Sequence, residues 1–132
     1  MGKLRYHDYH LKGYRVSDFG NTIALDLIYD YPGHPLDEST IEFTDVILYH
    51  FIHTTGAIII DIDVTPISKV LSDHAEEITA WDHQLGVAKW PGTIQGYENY
   101  LTSSGYLGWY IESAIGFQGF VIGKAVTQAK SV

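Results

Sequence analysis

From Thr40 to Val64 the chain reads TIEFTDVILYHFIHTTGAIIIDIDV, dense in β-branched and aromatic residues and free of proline. Such side chains lose rotamer freedom on a helix and pack well on a pleated surface, so this run commits the chain to sheet. The Thr-Thr-Gly in its middle reads as the tip of a long hairpin, with TIEFTDVILYHFIH and AIIIDIDV as its arms. With Thr55-Gly56 as the turn, Ile47, Tyr49 and Phe51 share a core face with Ile58, Ile60, Ile62 and Val64. On the reverse face His50 then lies opposite Asp61, a cross-strand pair in which the carboxylate favours a charged imidazole.

The rest of the chain supports the same class. NTIALDLIYDY alternates, with Ile23, Leu25, Leu27, Tyr29 and Tyr31 on one face and Asp26 and Asp30 on the other. YHLKGYRV precedes it as a first strand, across the turn SDFGN. YPGHPLDES holds two prolines and a glycine and reads as a loop.

From Pro66 the period changes. Ile67, Val70, Leu71, Ala75, Ile78, Trp81 and Leu85 recur at three- and four-residue steps, the stripe of an amphipathic helix. Thr65 is a candidate cap with Pro66 as first helical residue, and Asp73 with Glu76 offers a second start, so one helix or two fit the segment. TIQGYENYLTSSG reads as a further helix presenting Ile94, Tyr97, Tyr100 and Leu101, with Gly105 as its terminator. YLGWYIESAIG and GFVIGKAVTQ read as two closing strands around GFQG. The expected fold is α+β: a mostly antiparallel sheet of about six strands, order ββββ-α(α)-ββ, with the helices packed on one side.

A chain of 132 residues fits a single domain, 1–132, and its 45% hydrophobic content is enough to fill a core. Eight basic against sixteen acidic residues leave a formal charge of −8. That balance disfavours nucleic acid and anionic membranes and suits a soluble protein, or one that meets a basic partner. No cysteine is present, so neither a disulfide nor a thiol nucleophile is on offer. The opening residues MGKLRYHDYHLKGY lack an apolar signal core, Tyr6 stands where myristoylation wants Ser or Thr, and no apolar run spans a bilayer. The expectation is a cytoplasmic protein.

Motifs for chemistry are weak. The pairs His7/His10 and His50/His53 are three apart on strands, which sends each pair to opposite faces, so no metal and no cofactor is expected. Asp61 with Asp63, and Asp26 with Asp30, are same-face carboxylates. They fit acid–base work in principle and solvated strand charges more simply. Nucleophile-elbow, phosphate-loop and dinucleotide patterns are absent, and no catalytic residues are assigned. Asp26, Asp30, His50, Asp61, Asp63 and Trp90 are the candidate partner-binding residues, Trp90 through an aromatic patch with Tyr97 and Tyr100, its plainer reading being a loop anchor in KWPG.

The segments VILYHFIHTTGAIIIDIDVTPISKVL, KWPG and YENYLTSSGYLGWYIESAIGFQGFVIGKAV together resemble a family of small bacterial proteins built on a domain of unknown function. The matching C-terminal positions are Tyr110, Ile111, Ser113, Gly116, Gly119, Val121 and Lys124. The resemblance spans roughly the last two-thirds of the chain and implies a fold; no catalytic residue comes with it. Small acidic domains of this look include immunity proteins, an analogy of class.

Three functions follow as expectations. The first is a non-enzymatic protein-binding module using an acidic face. The second is a small-molecule binder or hydrolase with an aromatic-lined pocket. The third is a self-associating domain, a homodimer through its isoleucine-rich strand.

Overall fold

The computed structural model describes residues 3–4, 6–85 and 93–130. The described elements are β1 (Lys3–Leu4), β2 (Tyr9–Ser17), β3 (Thr22–Tyr29), β4 (Asp37–Thr44), β5 (Leu48–Thr65), α1 (Ile67–Asp73), α2 (Ala75–Leu85), α3 (Ile94–Ser103), β6 (Leu107–Gly123) and β7 (Ala125–Lys130). The class is α+β with every strand pairing antiparallel, as the alternation implied. The described residues form seven strands rather than about six, in the order β1-β5-β2-β3-β4-β7, with β6 on β5. A single residue, Lys124, separates β6 from β7, so the path from β5 through β2, β3, β4 and β7 returns to β5 by way of β6. The sheet therefore curls back on itself.

The expected hairpin does not exist. Leu48–Thr65 is one strand of 18 residues, and Thr55-Gly56 is not its turn. Its partner is β6, which pairs with it from Leu48↔Ile122 to Thr65↔Gly108. With a neighbour that long, β5 satisfies its backbone groups without reversing. The glycine signal instead marks bulges: the register shifts between His53 and Asp61, and Gly56 and Gly116 both take positive φ. Ser113 secures this bend, its hydroxyl accepting from the Ile115 N–H and donating to the Ile58 carbonyl at 2.7 Å. The chain breaks earlier than expected, at Asp45, whose left-handed φ of 52° an aspartate tolerates.

The expected core face holds in its middle and fails at its ends. Tyr49, Phe51 and Ile62 meet the interior, where Ile23, Leu25, Leu27, Ile41, Phe43, Trp109 and Ile111 are buried. Tyr49 and Phe51 are odd-numbered and Ile62 even, so the intervening bulges have shifted the parity. Ile47 packs toward the helices and Val64 is exposed. His50 faces Phe120 and Asp61 faces Glu112, so the proposed His50–Asp61 pair is ruled out.

The helices cover the other face of the β5–β6 ribbon, as expected, through Ile67, Val70, Leu71, Ile78, Tyr97 and Leu101 against Leu48, Phe120 and Ile122. The segment after Pro66 is two helices, broken at His74. Thr65 does not cap α1: Pro66 stands at the cap, and the Thr65 hydroxyl donates to the Asp63 carbonyl. Asp73 closes α1 rather than opening α2, because its carboxylate is held by Lys69 and Tyr110. α3 matches expectation at both ends. Thr93 accepts from the Gly96 N–H at 2.9 Å, and Gly105 takes φ +84° while Tyr106 N–H reaches back to the Leu101 carbonyl.

Candidate functional site

The bend in the ribbon creates a polar concavity. The rings of Tyr110 and Phe120 lie 6.4 Å apart, although a straight strand would separate those positions by about 33 Å. Folding the ribbon brings its two halves together under α1 and the start of α2. Close approach of α1 is enforced at Gly108, where a Cβ would sit 3.0 Å from the Thr65 carbonyl and 3.1 Å from Val70. The buried stripe Ile67-Val70-Leu71 fixes the rotation of α1, which leaves Lys69 and Asp73 on its flank, four apart and paired at 3.1 Å.

Tyr110 donates its hydroxyl proton to Asp73 at 2.7 Å. Burial and that bond push the Tyr110 phenol well above the ordinary tyrosine range, while the Tyr110 hydroxyl and Lys69 hold the Asp73 carboxyl below the usual carboxylate range. His74 is 20% exposed at the helix break, with its ring 4.6 Å from that of Phe120 and its Nδ1 3.2 Å from Glu77. His50 lies beside Trp81, ring centroids 5.1 Å apart. These groups border two adjoining hollows. A groove of about 790 Å³ runs along Lys69, Asp73, Tyr110, Glu112 and Ser113. A smaller pocket of about 250 Å³ lies between His50, His74, Glu77, Tyr110 and Gln118.

Beside the groove, Asp61, Asp63 and Glu112 bring carboxylate oxygens within 4.8 Å of one another, which tightens the expectation for the two aspartates and adds a third acid from β6. Asp26 lies elsewhere. Arg15 grips it through Nε at 3.1 Å and Nη2 at 2.9 Å, and the Thr40 hydroxyl donates to it at 2.9 Å. The Arg15 guanidinium holds the Asp26 carboxyl below the usual range. Asp30 is exposed just past the end of β3, and the structure does not bring it to Asp26 or to the groove. Trp90 lies outside the described residues.

Sequence reasoning missed Asp73, His74, Glu77, Tyr110 and Glu112 as a group. The helix break at SDHAEE carried a signal for the first three; Tyr110 and Glu112 carried only the alternation of a strand. Chemically the site offers fixed charge and hydrogen bonding. Its aliphatic hydroxyl, Ser113, is committed to the bulge, and Tyr110 keeps its proton on Asp73. A third hollow, of about 550 Å³, also borders His50 and is walled by Val46, Leu48, Tyr49, Trp81 and the exposed ring of Phe19. Among the described residues, no helix is long and apolar enough to cross a membrane.

No family model matches the chain, and no curated protein matches it. Its fold is similar to that in the crystal structure of an uncharacterized protein from Neisseria gonorrhoeae, with a TM-score of 0.51 and 12% identity over 97% of this chain and 96% of that one.

Proposed function

We propose that this protein is a non-enzymatic binding module whose acidic face, formed by α1, α2 and the outer side of β5–β6, holds a basic protein partner in the manner of an immunity protein. The observation that carries this reading is the convergence of Asp61, Asp63, Glu112, Asp73 and Glu77 on or beside one concave surface. Lys69 is the one lysine or arginine among the described residues lining the two hollows, and Lys3 of β1 is the strand neighbour of Asp63. A concave surface of one sign focuses its field, raises the encounter rate with an oppositely charged partner and fixes its register. The commitment of Ser113 and Tyr110 to structural hydrogen bonds favours binding over covalent chemistry. The test is affinity isolation of the partner at low salt, with wild type beside an Asp61→Lys/Glu112→Lys variant, followed by titration at increasing salt. Loss of the complex in the variant and weakening with salt are expected; a salt-indifferent complex, or one the variant forms equally well, refutes the reading.

The aromatic hollow favours a second reading, a domain that binds a small molecule between Tyr49, Trp81 and Phe19. A compound screen by thermal shift, with stabilisation abolished in Trp81→Ala, would select it over the first.

A further inference from the structure

The pocket between His74 and Tyr110 has a chemical character of its own within the acidic face. Three rings, His50, His74 and Tyr110, line it beside Ile52 and Gly119, and the buried Phe120 backs them at 39° to the His74 plane and 90° to the Tyr110 ring. Its polar groups include several acceptors beside the donors of the Gln118 amide and the histidine rings. Glu77 contributes a carboxylate. The Tyr110 oxygen, with its proton committed to Asp73, presents lone pairs. Gln118 offers its amide oxygen. In the neutral tautomer that donates Nδ1–H to Glu77, His74 presents Nε2 as an acceptor. Neither lysine nor arginine is among the described residues lining it.

We infer that this pocket is an arginine socket, taking the guanidinium group of a partner's side chain with its plane against the His74 and Tyr110 rings and its N–H groups on Glu77 and Gln118. The inference rests on the acidic-face reading and names its anchor. A guanidinium carries five N–H donors in a planar fork and no acceptor, stacks on aromatic faces and is less strongly hydrated than an ammonium. The ring faces and the acceptors of this pocket complement that group. A lysine ammonium would meet the carboxylate but leave the planar stacking unused. A carboxylate or phosphate could take a hydrogen bond from the Gln118 amide but would face the Glu77 carboxylate and be repelled.

The experiment uses the peptide acetyl-Gly-Arg-Gly-amide and its citrulline and lysine counterparts, followed by NMR at the His74 ring and the Gln118 side-chain amide. Saturable shifts at both groups are expected with the arginine peptide, with at least tenfold weaker binding of the citrulline peptide and severalfold weaker binding of the lysine peptide. Glu77 is exposed, so Glu77→Gln folds normally, and it should weaken the arginine peptide at least fivefold. Equal binding of arginine and citrulline, or of arginine and lysine, overturns the socket. If the arginine peptide binds wild type and Glu77→Gln alike, with shifts confined to Asp61, Asp63 and Glu112, the socket falls and the acidic-face reading survives. If neither cationic peptide binds in a salt-dependent way, both fall.

Discussion

Gly119 sits where β6 passes closest to β5, and adding one methyl group there tests the packing of the central ribbon. A Cβ built on Gly119 would lie 2.5 Å from the backbone carbonyl of His50 and would overlap the edge of the Phe51 ring. Ordinary contact begins at 3.4 Å, so the carbonyl would need to retreat by nearly an ångström. That oxygen belongs to the strand itself and cannot rotate away. The Phe51 ring is also confined, with Tyr14 at 5.0 Å, Tyr49 at 5.3 Å and Phe117 at 5.0 Å between centroids. Overpacking of this kind costs about 1–3 kcal/mol. Loss of glycine's freedom in the unfolded chain returns about 0.4–1 kcal/mol. Because the blocking atom is backbone, Gly119→Ala should lie in the upper half of that range, a net loss of about 2 kcal/mol, or roughly 6–10 °C in Tm for a domain of this size. Gly13→Ala is the control: a Cβ there meets nothing within 4 Å, and its φ is not in the left-handed region. It should be neutral or raise stability by about 0.5 kcal/mol. Thermal and urea unfolding followed by circular dichroism measures both. Equal midpoints for the two variants would refute the close strand approach and the β5–β6 register with it.

Thr93→Ala removes the hydroxyl that accepts from Gly96 and should cost about 1 kcal/mol by urea denaturation; an unchanged midpoint would show that α3 does not depend on its cap. Asp26 is held below its unfolded pKa by Arg15, so its contribution is fully present above about pH 4, the unfolded value, and declines as pH falls through the lower folded value. Asp26→Asn should flatten that acid limb of the stability profile, and superimposable limbs would show that the Arg15 pair contributes nothing. Asp73→Asn removes the carboxylate that accepts the Tyr110 proton, so a step in the ultraviolet phenolate titration should move to lower pH while burial still holds it above the ordinary tyrosine range. An unmoved titration curve would show that the hydrogen bond does not govern Tyr110.

Local chemistry was legible wherever one segment determined its own structure. Alternation identified β3, the three- and four-residue steps identified the helical stripe, and Gly105 marked the end of α3. The same reasoning failed twice, at TTG and at GFQG, and for one cause. Each glycine-bearing step was taken for a tight turn between two strands. In the structure His53 pairs with Phe117 and Ile58 with Ile115, so the two apparent turns are opposite sides of one irregularity in a single long ribbon. A glycine at positive φ serves a turn and a bulge equally well, and only the partner strand decides between them. That partner lies some sixty residues away, beyond the reach of a local pattern. The candidate site inherits the same dependence. Asp61 and Asp63 could be placed on one face from their spacing, but Glu112 joins them only through the register of β5 with β6. Tyr110 reaches His74 and Phe120 only because the bulged ribbon bends. The irregularity that hid the topology is therefore also what assembles the acidic face. Restoring a regular register there should flatten the groove along with the bend and displace Phe117, while the Phe43–Trp109 contact farther along the core keeps its packing.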